Sequence, residues 1–324
     1  MIKQPLIYHD FQDPQALPRH AGVASFFRAP LAHSTDDVDI GIIGVPFDGG
    51  VTHRSGTRHG PRGVREQSTL LRRINAATRV APFATARVRD LGDCWIEQPY
   101  ELTSAHQEIE SFYRAVTAAR IVPLSVGGDH SISLPILRAL AASRPIGMVH
   151  IDAHCDTGDD YMGSRFHHGA PFRRAVEENL IDPLRVIQIG IRGTTNDPDL
   201  WGFSQRSGMR VLPMDEFDDH GWRYAAGEAR RVVGSGPVYL SFDIDSLDPS
   251  EAPGTGTPEA GGLTALQALR LLRELRGLDF VGGDVVEVAP PFDTGTLTSF
   301  NAASVLFEIL CLLAEAREKR LAGG

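Results

Sequence analysis

Six residues able to ligate divalent cations stand in three short clusters along this chain: His130 in Gly127-Gly-Asp-His130; Asp152, His154 and Asp156 in Asp152-Ala-His-Cys-Asp156; Asp243 and Asp245 in Asp243-Ile-Asp245. Each cluster closes an apolar run that reads as a strand, such as Gly147-Met-Val-His-Ile151 and Val238-Tyr-Leu-Ser-Phe242. Open α/β sheets place their ligands there, beyond the carboxyl ends of strands. Alternate residues of an extended segment face the same way, so Asp152, His154 and Asp156 can converge on one point, and Asp243 and Asp245 repeat that spacing. Taken singly, each cluster has an ordinary reading as a solvated loop or a helix cap. Taken together they bring four carboxylates to one place, which is costly without cations. Two divalent ions would neutralise them. Oxygen-rich ligation with two imidazoles suits Mn²⁺ best, with Ni²⁺ or Co²⁺ as alternatives, and Zn²⁺ is disfavoured for want of a clear Cys ligand. Ions roughly 3.5–4 Å apart activate a shared water near neutral pH, so the chemistry expected is hydrolysis.

Two further blocks, Ser241-Phe-Asp-Ile-Asp-Ser-Leu-Asp-Pro249 and Ala252-Pro-Gly-Thr-Gly-Thr-Pro258, complete a set that resembles the signature of the ureohydrolases, the arginase and agmatinase superfamily, from about Gly41 through Glu308. Gly254 stands where arginases usually carry Ala, which brings the chain nearer the agmatinase and guanidino-acid hydrolase branch. The resemblance implies roles. His130 and Asp156 would complete one metal site, His154 and Asp245 the other, with Asp152 and Asp243 bridging. Asp156 would also orient the attacking water and relay its proton. Glu287, in Val285-Val-Glu-Val-Ala-Pro290, matches the carboxylate that grips the substrate guanidinium, and His168, in Phe166-His-His-Gly169, matches the histidine that shuttles protons near the leaving group. His167, His53 and His59 are not expected to act in this way.

A guanidinium is planar and permanently cationic, so its hydrolysis needs a strong nucleophile and a carboxylate that fixes its orientation. Specificity must then come from whatever meets the tail. The loop Thr157 to Phe166 is the natural first wall: Arg165 could hold a tail carboxylate, Asp159 or Asp160 a tail ammonium. The stretches Phe166 to Glu178 and Gln188-Ile-Gly-Ile-Arg-Gly193 resemble guanidinobutyrase and guanidinopropionase, which favours 4-guanidinobutyrate or a similar ω-guanidino acid. Agmatine is the alternative substrate, with guanidine, an alkylated guanidine or a biguanide behind it. Formiminoglutamase chemistry and an inactive partner subunit are the other readings; the second would be marked by lost ligands, and none is lost here.

The elements that must carry these residues read as alternating strands and helices. Strand-like runs fall near 39–45, 87–91, 121–126, 146–152, 185–190, 209–213, 237–243 and 279–287. Helical periodicity covers roughly 61–73, 103–119, 132–143, 221–233, 264–276 and 299–316. The expected fold is a single three-layer α/β domain with an eight-stranded, mostly parallel sheet flanked by helices. Residues 1–36, with Pro14, Pro18 and Pro30, read as an extended arm, and 37–324 as the domain. Phe26-Phe27-Arg28 could line the outer pocket or simply pack against the body.

A net charge of −9 argues against a nucleic-acid partner. Three cysteines without close spacing argue against a disulfide framework, and Cys155, between two ligands, reads as a small buried residue facing away from them. With no signal peptide or spanning apolar run apparent, a cytoplasmic location without membrane contact is expected. The family resemblance implies a homotrimer or homohexamer.

Overall fold

Eight strands, β1 (Ile40–Val45), β2 (Val88–Asp93), β3 (Val122–Gly127), β4 (Ile146–Ile151), β5 (Ile181–Ile191), β6 (Arg210–Pro213), β7 (Pro237–Asp243) and β8 (Asp279–Val286), form one sheet in the order β2-β1-β3-β8-β7-β4-β5-β6. The computed structural model of the chain describes residues 19–195, 198–199 and 201–323. Every strand pair in the sheet is parallel. A parallel sheet is covered on both faces, which is why β1 and β4 read as continuous apolar runs and are buried along their whole length. The edge strand β2 is only half buried, and β6 has four residues.

Period-two alternation divides the core. Ile40 and Ile42 of β1, with Val149 and Ile151 of β4, face one layer, built from α7 (Met214–Val233), α8 (Ala265–Glu274) and α9 (Leu297–Gly323). Ile43 and Val45, with Ile146 and Met148, face the other, built from α3 (Leu102–Ala118), α4 (Ser133–Leu140) and α5 (Pro171–Glu177). The remaining helices among the described residues are α1 (Gly60–Ser68), α2 (Pro82–Thr85) and α6 (Gly202–Ser207).

The strands lie where the apolar runs predicted them, within a few residues. The short helices α2, α5 and α6 were not anticipated, since four to seven residues are too few to show a helical period. Helix α7 begins seven residues before the predicted 221 and is broken at Gly221, whose φ of 77° is not helical. Helix α9 corrects the expectation that no apolar run reaches spanning length, since by length and composition it does. It is a core helix, largely buried and packed along β8 and α1.

The first 18 residues of the expected arm lie outside the described residues. Phe26–Arg28 form a buried 3-10 turn against the body rather than a pocket wall: the Phe27 ring meets Phe307 edge-on at 5.4 Å, and the Arg65 guanidinium lies 4.2 Å over Phe26. Leu31 then bridges to Asp90 and covers part of the β2 edge.

Candidate metal centre and substrate cavity

The four central strands β3, β8, β7 and β4 are neighbours, and each ends at a site residue. Ile151 pairs with Phe242, so Asp152 and Asp243 emerge side by side at the next step of the register. Val286 pairs with Asp243, which puts Glu287 beside them. After β3 the chain turns at Gly128, where a Cβ would stand 2.5 Å from the Phe47 carbonyl oxygen, and enters a 3-10 turn at His130. Asp129 caps that turn, accepting from the Ser131 amide at 2.9 Å and the Gly50 amide at 2.7 Å. Asp243 likewise caps the turn Ile244–Ser246 while its other oxygen faces His130, so the capping and ligating readings are both satisfied.

All six candidate ligands come together. His130 Nδ1 lies 3.2 Å from Asp152, 2.9 Å from Asp156 and 3.1 Å from Asp243. His154 Nδ1 lies 3.5 Å from Asp152 and 3.2 Å from Asp245. The donor atoms therefore fall into two groups, His130/Asp152/Asp156/Asp243 and Asp152/His154/Asp245, which share Asp152. Asp243 joins only the first. The convergence is not that of a straight strand: β4 stops at Ile151, and Asp156 swings inward through a left-handed backbone, φ 50°. Glu287 is also left-handed, φ 64°. Non-glycine residues in that region store of order 1–3 kcal/mol, which the surroundings must hold in place.

The hydrogen bonds decide what can occupy the first group. Ser241 gives its proton to the buried Asp284 carboxylate at 2.7 Å, so it must accept from His130 Nε2 at 2.8 Å. The Nε2 proton leaves a lone pair on Nδ1, a fully buried atom with no hydrogen-bond partner that faces three carboxylates. Only a positive charge fits between them. The same field acts on protons. Burial resists a charge on His130, yet Asp152, Asp156 and Asp243 raise its pKa well above the ordinary imidazole range. Burial, then Asp245 and Asp152, push Asp243 well above the usual carboxylate range. The donor set of aspartates and two imidazoles thus fits hard or borderline divalent ions.

Beside this cluster opens a cavity of about 510 Å³ lined by His154, Asp156, His168, Thr52, Phe203 and Trp201 among others. His168 and Glu287 are in direct contact: His168 Nδ1 lies 2.9 Å from Glu287 Oε1, which also accepts from the His130 amide at 2.8 Å. Glu287 Oε2 is buried and without a hydrogen-bond partner. Burial opposes a charge on His168, but Glu287 raises its pKa to about 9. Against that, the Thr52 amide, which can only donate, points at His168 Nε2 from 3.1 Å. That contact fixes the resting tautomer: the proton sits on Nδ1 and Nε2 accepts.

The tail residues suggested by sequence are placed differently. Arg165 pairs with Glu177 at 2.7 Å on the surface and does not line the cavity. Asp160 caps the Gly163 amide instead. Asp159 does reach the cavity wall, but Arg173 and Arg174 already neutralise it, at 2.8 and 3.0 Å. His167 also reaches the wall, bonded through Nε2 to the Asp159 carbonyl. Cys155 is partly buried with its thiol toward Ser204, and all three cysteines are free. Sequence reasoning assigned nothing to His150, whose Nε2 donates to Asp152 at 2.7 Å while Gln188 donates to its Nδ1 at 3.1 Å. The signal was available, since a histidine two residues before a strand-end ligand shares its face. Thr52 had no such signal, because only the fold brings its loop to His168.

Residues 38–312 match the arginase family. Guanidinopropionase from Pseudomonas aeruginosa is 54% identical over 305 residues, covering 94% of this chain and 96% of its own. Guanidinobutyrase from the same organism is 46% identical over 301 residues, covering 92% and 94%. The solved structure of proclavaminate amidino hydrolase from Streptomyces clavuligerus superposes with a TM-score of 0.89 at 39% identity, covering 93% of this chain and all of that one.

Proposed function

Because this chain belongs to the arginase family and is a hydrolase of guanidino compounds, we propose that it cleaves a short ω-guanidino acid to urea and the corresponding amino acid at a binuclear manganese centre. The observation that carries the hydrolytic reading is the unpartnered Nδ1 of His130 facing three carboxylates at one point, beside a cavity whose wall carries His168, the neighbour of Glu287. The preference for a guanidino acid rests on the 54% identity to guanidinopropionase, above the 46% to guanidinobutyrase and to the mitochondrial agmatinase of Gallus gallus. Agmatine is the second reading and differs only at the tail.

His130, Asp152, Asp156 and Asp243 would hold one ion, and Asp152, His154 and Asp245 the other, with Asp152 common to both groups. When bound, the ions supply an activated water and offset the negative charge that develops on the attacked group. The remaining steps belong to side chains. Glu287 Oε2 is the free acceptor for the guanidinium N–H groups, the carboxylate being held through Oε1 by the His130 amide and His168. Asp156, at the boundary of cluster and cavity, orients the nucleophile and takes its proton. His168 Nε2 receives the proton that Asp156 took from the nucleophile and returns it to the departing amine. Thr52 Oγ1, 2.7 Å from His168 Nε2 and on the cavity wall, connects the imidazole to the substrate.

The test is urea release by the manganese-loaded protein from 3-guanidinopropionate, 4-guanidinobutyrate and agmatine, compared by kcat/KM. One of the two acids should exceed agmatine at least tenfold. A preference for agmatine would replace the guanidino-acid reading with the agmatinase one.

A further inference from the structure

One arginine on the cavity wall forms no hydrogen bond to a carboxylate. Arg192, one residue beyond β5, gives its guanidinium protons to backbone carbonyls: Nη2 to Asp245 at 2.8 Å and to Glu259 at 2.7 Å, Nε to Ala260 at 3.2 Å, and Nη1 to Ser246 at 3.3 Å. Its own amide donates to the Ala153 carbonyl at 2.9 Å, between Asp152 and His154. Ala153 in turn donates to the Asp245 carboxylate at 3.2 Å. A single residue thus ties together the three chain segments that present His154, Asp245 and Glu259. Each segment has local bonds, the Asp245 amide to Asp243 at 2.9 Å and the His154 amide to Asp152 at 2.6 Å, but Asp245 sits in a three-residue 3-10 turn and His154 in irregular chain a third exposed, and Arg192 is what joins them to the Glu259 segment. The other half of the cluster has independent support, because Ser241 and Asp284 orient His130 and Asp243 continues β7.

A planar fork with five donors reaches carbonyls on several loops at once, which an ammonium cannot do. The carbonyls at Gly190 and Leu247, at 3.2 and 3.3 Å, complete the cage. Gly262 belongs to the design as well, because a Cβ there would overlap the guanidinium. The guanidinium also brings one half-buried positive charge toward Asp245 and Asp152.

We propose that Arg192 is the positioning residue for the His154/Asp245 half of the metal centre, holding that half in ligating geometry while the His130/Asp156/Asp243 half forms without it. The inference rests on the metal-centre reading above. It is tested by titrating the metal-stripped full-length protein with Mn²⁺ and counting tight equivalents by elemental analysis, with electron paramagnetic resonance to separate spin-coupled pairs from isolated ions. Wild type should take two equivalents and show the coupled spectrum. Arg192→Met should keep one tight equivalent with an uncoupled spectrum, its second equivalent weakened tenfold or more. Arg192→Lys, which keeps the charge and is the safer variant for folding, should fall between them. Loss of both equivalents in parallel, or retention of both with coupling intact, would overturn the proposal. Wild type that binds no manganese would instead sink the metal centre itself, and this proposal with it.

Discussion

Glu287 meets three demands in one residue: it closes a central strand, adopts a left-handed backbone, and keeps one carboxylate oxygen buried without a partner. A carboxylate left in that state suits a cationic substrate and little else. Glu287→Gln is expected to lower kcat/KM by roughly 10²–10³ with manganese content unchanged, as measured by urea release beside elemental analysis. A loss of metal in step with activity would assign Glu287 to the centre instead. His168→Asn should cost roughly 10²–10⁴ in kcat and little in KM if the imidazole carries the leaving-group proton. Arg165→Met, by contrast, should leave kcat/KM within about twofold, because its guanidinium is engaged with Glu177 outside the cavity. At this scale the six ligands, His168 and Glu287 were legible because their spacing and strand-end positions carry chemistry. The tail residues were not, since whether Arg165 or Asp159 faces a cavity or a neighbouring charge depends on how one loop folds over α5.

Elements fix these residues through contacts remote in sequence. Helix α3 delivers His106 into the layer beneath the site, where it meets Ser131 at 3.0 Å between the rings of Phe47 and Phe166. Burial, aided by Arg138, lowers the His106 pKa to about 3 from 6.5. Between those values the unfolded chain binds a proton that the folded chain refuses, so stability is intact above pH 6.5 and falls as pH drops toward 3. His106→Gln should remove that component. Denaturant titrations of the metal-free proteins should show a shallower acid loss in the variant, by of order a few kcal/mol across the window, and parallel curves would refute it. Phe27→Ala should destabilise by about 3–5 kcal/mol while leaving kcat of the folded enzyme unchanged, because Phe27 packs on Phe307 rather than on substrate. The strands were legible because both faces of a parallel sheet are apolar, so Ile40–Val45 and Ile146–Ile151 stand out as runs. The short α5 was hidden because its seven residues, starting at Pro171, are too few to show a helical period.

For the molecule as a whole, the sheet order puts the carboxyl ends of β3, β8, β7 and β4 side by side, and the residues at those ends make the site. The order itself was beyond sequence reasoning, because the insertion of β8 between β3 and β7 leaves no local mark. Four carboxylates gathered this way make the fold dependent on what they bind. Chelation should lower Tm by several degrees, and restored Mn²⁺ should return it, since an ion that binds only the folded state stabilises it by mass action. Light scattering on the loaded protein should give three or six times the 35.2 kDa chain mass if the assembly implied by the family resemblance holds. The most direct test of the central claim is urea release from a short ω-guanidino acid, followed while metal-stripped protein is reloaded with Mn²⁺. The account predicts no urea without metal and a rate that rises to saturation at two equivalents per chain. Urea released equally before and after stripping would contradict it.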